Sequence, residues 1–218
     1  MEMSVQKMME RLMALYTKTP ADWFKHGQTP TLYGENIRTK VKNQLIELEQ
    51  SDMPPFHIMD ANLSKDVEDL AATIMHLGPS TLLVDGAYLL GTNDRSVMKS
   101  YDKIKKICLV LKQTATNLDI PVFASWQFNR EAMKKGGGNR PSLENIAGGD
   151  DIGQISSVVL GLVDDPDDSR SNVAKMAYRK LHILKGRDGE AGEMELHWDF
   201  NKMDFSELDK NAPVEIYD

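Results

Sequence analysis

Thr81-Leu82-Leu83-Val84-Asp85-Gly86 and Pro121-Val122-Phe123-Ala124-Ser125-Trp126-Gln127-Phe128-Asn129-Arg130 are two apolar runs that each end in a polar group. A short run of consecutive apolar residues closed by a glycine or polar turn reads as a strand buried on both faces. The first run delivers Asp85 at a strand end, and the second delivers Gln127 at the end of a neighbouring strand. Between them Tyr101, Ile104, Ile107, Cys108, Leu111, Ala115 and Leu118 recur at helical spacing, predicting a helix from about Ser96 to Leu118. Strand, helix and strand in that order make a β-α-β unit, whose strands pair in parallel.

The alternation continues outward in both directions. Phe56 to Met59 reads as a strand and Ser64 to Leu77 as a helix with Val67, Leu70, Ala71 and Ile74 on its apolar side. Ser157 to Leu162 adds another strand after Val122 to Ser125. This pattern predicts an α/β fold, a mostly parallel sheet with helices over both faces. Upstream, Met1 to Thr17 has helical spacing with no evident N-cap, Thr19-Pro20-Ala21-Asp22 opens a short helix, and Glu35 to Gln50 forms another. Downstream, Ala177 to Leu184 and Glu193 to Trp198 flank Lys185-Gly186-Arg187-Asp188-Gly189, which reads as a C-terminal β-hairpin extension. Asp164 to Asn172 is a solvated loop by composition.

With 218 residues and 41% hydrophobic content the chain can bury a full core. No apolar run reaches a membrane-spanning length, and the N-terminus carries charges where a secretory leader has its apolar segment, so a cytoplasmic protein is expected. The single cysteine, Cys108, excludes an internal disulfide and a cysteine metal cluster. A net charge of -7 argues against a partner held by overall charge, yet the last 20 residues carry -4 of it. Met133 to Arg140 holds three cations, no acid and three glycines, a local basic loop that can engage phosphates on an acidic chain.

In open α/β sheets ligands gather beyond the carboxyl ends of the strands, so Asp85 can hold Mg²⁺ directly or through water; it can equally cap the turn after it. The Gln127 amide can accept from an attacking water and donate to a phosphate oxygen, or be satisfied by loop backbone. Arg130, Lys134, Lys135, Asn139 and Arg140, with Gly148 and Gly149 after them, offer cations and closely approachable backbone to a nucleic-acid strand; a merely mobile surface loop has the same composition. No aromatic residue lies between Lys134 and Gly149, so base stacking is not expected there. Lys185 and Arg187 alternate around Gly186 and suit a finger toward a neighbour's phosphate, or plain solvation at a turn. The five histidines lack ligand spacing.

Together these pieces resemble the C-terminal ATPase domain of DnaB-type replicative DNA helicases, in particular bacteriophage versions of this RecA-like fold. Glu2-Met3 with Arg11 resembles the family's S-L-E-M segment and downstream arginine, and Thr81 to Asp85 its Walker B strand. Ser125 to Arg130 resembles the strand ending in S-Q-x-N-R, Gly149 to Leu160 the segment near the DNA-binding loop, and Lys185 to Gly189 the K-Q-R-N-G hairpin. Gly86-Ala87-Tyr88 and Ser156-Ser157 depart from the family pattern. No G-x-x-x-x-G-K-[ST] loop occurs in the 218 residues, and the chain begins within or just before the S-L-E-M segment.

The resemblance implies a partial RecA-like helicase domain over 1–203 and an acidic tail over 204–218. It implies ATP and Mg²⁺ as cofactors of the complete protein, with Glu2 polarising the attacking water, Asp85 holding the metal and Gln127 sensing the γ-phosphate. Lys185 and Arg187 would reach a neighbouring subunit's nucleotide in a homo-hexamer. Single-stranded DNA is the implied polymer, held by Arg130, Lys134, Lys135, Asn139, Arg140, Gly148 and Gly149. Primase or a helicase loader would be further partners, and a second polypeptide would supply the P-loop, without which the chain is expected to be inactive. The alternatives are a non-catalytic RecA-like module that binds single-stranded DNA or docks onto a helicase, and a RecA-type recombinase relative. Such a protein would work in the cytoplasm of the phage's bacterial host.

Overall fold

A computed structural model describes residues 3–26, 34–52, 55–59, 65–97, 99–129, 141–146, 148–164, 178–189 and 191–207. Six α-helices are described: α1 (Val5–Thr17), α2 (Ala21–His26), α3 (Gly34–Gln50), α4 (Val67–Leu77), α5 (Ser100–Leu118) and α6 (Gly149–Ile155). Five strands accompany them: β1 (Leu82–Val84), β2 (Val122–Ala124), β3 (Val159–Val163), β4 (Tyr178–Lys185) and β5 (Gly192–His197). The chain divides into two compact units. One takes in the described residues of Asp60–Ser169 and Lys180–Glu193, the other those of Met3–Met59, Arg170–Arg179 and Met194–Asp218.

In the first unit the β-α-β expectation holds. Strands β1 and β2 pair in parallel, with Leu82 opposite Val122, Leu83 opposite Phe123 and Val84 opposite Ala124. Helix α5 crosses between them and supplies Ile107, which is fully buried, with Cys108, Leu111 and Thr114. A core cluster of Cys108, Ile146, Ile152 and Val159 gathers Ile104, Trp126, Phe128, Leu143, Ile155 and Leu184 around it. Burial pushes the Cys108 thiol up to about 11, with the charge of Asp151 adding to the effect.

Several elements differ from expectation, each for a local reason. Helix α5 starts at Ser100 rather than Ser96, because Asp94 Oδ1 accepts from both the Ser96 N–H and hydroxyl, at 3.1 and 2.6 Å, and turns the chain first. Helix α4 starts at Val67 because Lys65 to Val67 pair with Gly91 instead: the Gly91 N–H donates to the Lys65 carbonyl and the Val67 N–H to that of Gly91. Phe56 to Met59 forms no strand. β3, expected as a further strand, pairs antiparallel with β4, in a three-stranded sheet of order β3-β4-β5. Coverage of both sheet faces does not extend to β1 and β2, where Leu83 and Phe123 are 64% and 58% exposed.

In the second unit α1 has the N-cap that the sequence did not suggest: Ser4 Oγ accepts from the Lys7 N–H at 3.4 Å. Its C-terminus closes on Lys18 in the left-handed region, whose N–H returns to the Ala14 carbonyl. The Ala21 N–H donates to the Asn201 carbonyl at 2.8 Å, and Lys18 pairs with Asp204 at 3.2 Å. Trp198 and Phe205 pack with ring centroids 4.2 Å apart and planes tilted by 37°, Arg11 lies over Phe200 and Arg179 over Trp198.

A polar clasp joins α4, the 92–96 turn and α5. Glu68 accepts from Thr92 Oγ1 at 2.6 Å and the Asn93 N–H at 3.2 Å, and Lys106 reaches Asp94 at 3.3 Å. Partial burial pushes the Glu68 carboxyl upward, but hydrogen bonds from Thr92, its own N–H and Asn93, with the nearby Lys106 charge, outweigh that and hold it below 4.5. A lowered folded value means stability present above about 4.5, the unfolded value, and lost as pH falls through the folded one. Glu68→Gln should therefore lower the melting temperature at pH 7 and lose that deficit in acid; a deficit constant with pH would refute the clasp.

Candidate functional site

Extended chain points alternate side chains to opposite sides, and that rule builds the strand-end site. Beyond β2, Trp126 and Phe128 turn into the core cluster while Ser125 and Gln127 face solvent. Ser125 then joins the two strand ends. Its N–H donates to the Val84 carbonyl at 3.0 Å and its carbonyl accepts from the Ala87 N–H at 3.1 Å. Its hydroxyl accepts from the Gly86 N–H at 2.7 Å and donates to Asp85 Oδ1 at 3.0 Å. Gly86 lies in the left-handed region, at φ 76°, which lets the chain turn sharply enough to bring that N–H onto Ser125.

Asp85 is exposed, with Oδ1 held by Ser125. Among the described residues no group of three or more His, Cys, Asp or Glu could hold a metal ion. The single exposed Asp85 carboxylate fits Mg²⁺, which takes one or two carboxylates and fills its shell with water and substrate phosphates. Gln127 Nε2 donates to the Tyr88 hydroxyl at 2.6 Å, which leaves its second N–H and its Oε1 toward solvent. Sequence reasoning missed both Ser125 and Tyr88 as positioning groups. Ser125 lies two residues before Gln127, the spacing that puts both on one side of an extended strand.

The Gln127 strand end is tied to the glycine pair. Phe128 and Ile146 form an antiparallel bridge, and the Asn129 N–H donates to the Asn145 carbonyl at 2.7 Å. Leu143–Asn145 is one 3-10 turn, closed by a capping box in which Ser142 and Asn145 bond reciprocally. Gly148 follows at φ 75°, and a Cβ on Gly149 would lie 1.8 Å from the Leu143 carbonyl oxygen, so only glycine lets α6 start there. Glu2, Arg130, Lys134, Lys135, Asn139 and Arg140 lie outside the described residues.

At the hairpin the two cations differ. Lys185 is half-buried, and its Nζ donates to the Gly153 carbonyl at 2.5 Å and the Ser156 carbonyl at 2.7 Å, both at the C-terminal end of α6. Arg187 is exposed at the turn. Nearby, a cavity of about 660 Å³ is lined by Leu143, Glu144, His182 and Glu193 among others, and its two acids suit it poorly to a phosphate.

The family model for the DnaB-like helicase C-terminal domain matches residues 1–207. A solved structure of a DnaB-like replicative helicase, described with its interactions with primase, superposes with a TM-score of 0.76 at 20% identity over 95% of this chain. A solved ATPase domain of a bacteriophage protein gives 0.77, also at 20% identity over 95%. The chain spans 49% of the first of these and 72% of the second. No curated protein gives a significant match. At this identity the superpositions speak to fold, and they bear out the α/β, RecA-like expectation. Gly149→Ala should cost about 1–3 kcal/mol through that carbonyl clash, seen as a lower melting temperature; an unchanged value would mean that α6 does not start at this glycine.

Proposed function

The chain belongs to the family of DnaB-like helicase C-terminal domains, and from that membership we propose that it forms the strand-end and DNA-facing portion of a replicative helicase motor. The complete motor is a ring of six copies that hydrolyses ATP, moves along single-stranded DNA and separates the duplex. Asp85 would hold the Mg²⁺ of a bound nucleotide, directly or through water, and the metal would supply neutralisation of the phosphate charge. Gln127 offers its solvent-facing N–H to the γ-phosphate and its Oε1 to the attacking water. Glu2 polarises that water. Arg187 reaches the nucleotide of the adjacent subunit, and Lys185 joins it only by giving up its two carbonyls.

The observation that carries this reading is the join at Ser125, which ties the end of β2 to the turn after β1 and orients Asp85 there, while Tyr88 of the same turn holds the Gln127 amide. The bridge from Phe128 to Ile146 supports coupling of Gln127 to Gly148, Gly149 and the Arg130–Arg140 cations that meet DNA. Phosphate-cradling backbone comes from a P-loop segment, on the same or a second polypeptide. The exposed Leu83 and Phe123 support such a covering layer, because parallel strands are ordinarily buried on both faces. Primase or a loader is the proposed docking partner, in line with the similar helicase described with primase.

Mixed with a polypeptide carrying the G-x-x-x-x-G-K-[ST] segment, the chain should show DNA-stimulated ATP hydrolysis. Asp85→Asn or Gln127→Ala should lower kcat by about 100-fold or more. Micromolar ATP affinity of the chain alone would sink the claim that the cradle lies elsewhere. Neutralising Lys134, Lys135 and Arg140 together should weaken oligo-dT binding and reduce the slope of log K against log salt by about 2. An unchanged slope would remove these cations from the DNA contact.

A further inference from the structure

The register between β3 and β4 contains a shift. Val159 lies opposite Lys185 and Leu160 opposite Ile183, so Leu184 is an extra residue on β4. In a regular strand Ile183 and Lys185 would share a face. Ile183 follows Leu160, which is exposed, whereas Lys185 follows Val159, which is buried in the core cluster with Ile152 of α6. The bulge therefore turns Lys185 to the inner face, as bulges re-aim side chains elsewhere. There its ammonium meets the Gly153 and Ser156 carbonyls, two of the groups that a helix C-terminus leaves without intrahelical partners.

We propose that Lys185 is a positioning residue for the DNA-facing segment of its own subunit: by holding the C-terminal end of α6, it fixes the orientation of the Gly148-Gly149 start of that helix. α6 has seven residues, too few to hold its direction by its own hydrogen bonds. One end is set by the close approach of Gly149 to Leu143, and the other by Lys185. The bulge at Leu184 divides the labour of the hairpin: Lys185 looks inward and Arg187 outward. The DNA part of this inference rests on the function proposed above.

Two measurements on the purified chain test it. Labelled oligo-dT anisotropy across a salt series should show several-fold weaker binding for Lys185→Met with the log–log slope unchanged. A direct phosphate contact would lower the slope by about 0.7, and that result would overturn positioning. Lys185→Arg, which can still donate to both carbonyls, should restore affinity. Hydrogen exchange should speed up over 150–157 in Lys185→Met and recover in Lys185→Arg; unchanged exchange in a folded Met variant would overturn the hold on α6. Should the wild-type chain bind no oligo-dT, the DNA reading fails, and the exchange result alone decides whether Lys185 holds the helix.

Discussion

Ser125 takes part in four hydrogen bonds that lock the end of β2 to the end of β1 and the turn after it, and the geometry of the candidate site depends on them. Each partner has a reason to be there. The Gly86 N–H has turned away from strand pairing because its residue is left-handed, and a buried amide without a partner is costly. The Ser125 hydroxyl accepts that proton and passes its own to Asp85. The carboxylate is thus oriented by a chain that begins in the backbone, and an exposed acid at a three-residue strand end gains a defined direction. Exposed side chains ordinarily sample many rotamers; this one is held at one oxygen and open at the other.

The same alternation that exposes Ser125 and Gln127 buries Trp126 and Phe128, so the polar site and the core are two faces of one segment. From there the Phe128–Ile146 bridge leads to the Ser142–Asn145 capping box, to the glycine pair, to α6 and to Lys185. As far as α6 each step is a backbone or capping contact, and only the last, from α6 to Lys185, is made by a long side chain. A displacement at Gln127 has a short, stiff route to α6.

What was readable in the sequence was whatever depends on periodicity. The α5 stripe, the parallel β1–β2 pair and the hairpin around Gly186 all follow from spacing of apolar residues and glycine placement. What escaped depends on single hydrogen bonds. Ser4 caps α1 with a hydroxyl that no apolar pattern reveals, and Asp94 delays α5 by an Asx turn. The antiparallel pairing of β3 is set by which neighbour it meets, information that a strand does not carry in its own residues. In the candidate site, the strand-end placement of Asp85 and Gln127 was legible because strand ends are, and the contacts of Ser125 and Tyr88 were not, because they exist only across the 39- and 40-residue separations that folding closes. Lys185 shows the limit most clearly: counting alternation from the turn puts it outside, and one bulged residue puts it inside.

Cys108 sits on α5 at the centre of this arrangement, and it is the chain's only cysteine. With its thiol pushed up to about 11 and buried, it is a poor nucleophile while the core is closed. Opening of the core restores an ordinary thiol. The rate at which an alkylating reagent captures that sulfur is therefore a clock for excursions of the helix between the two strand ends, built into the molecule at one position and read without adding a probe.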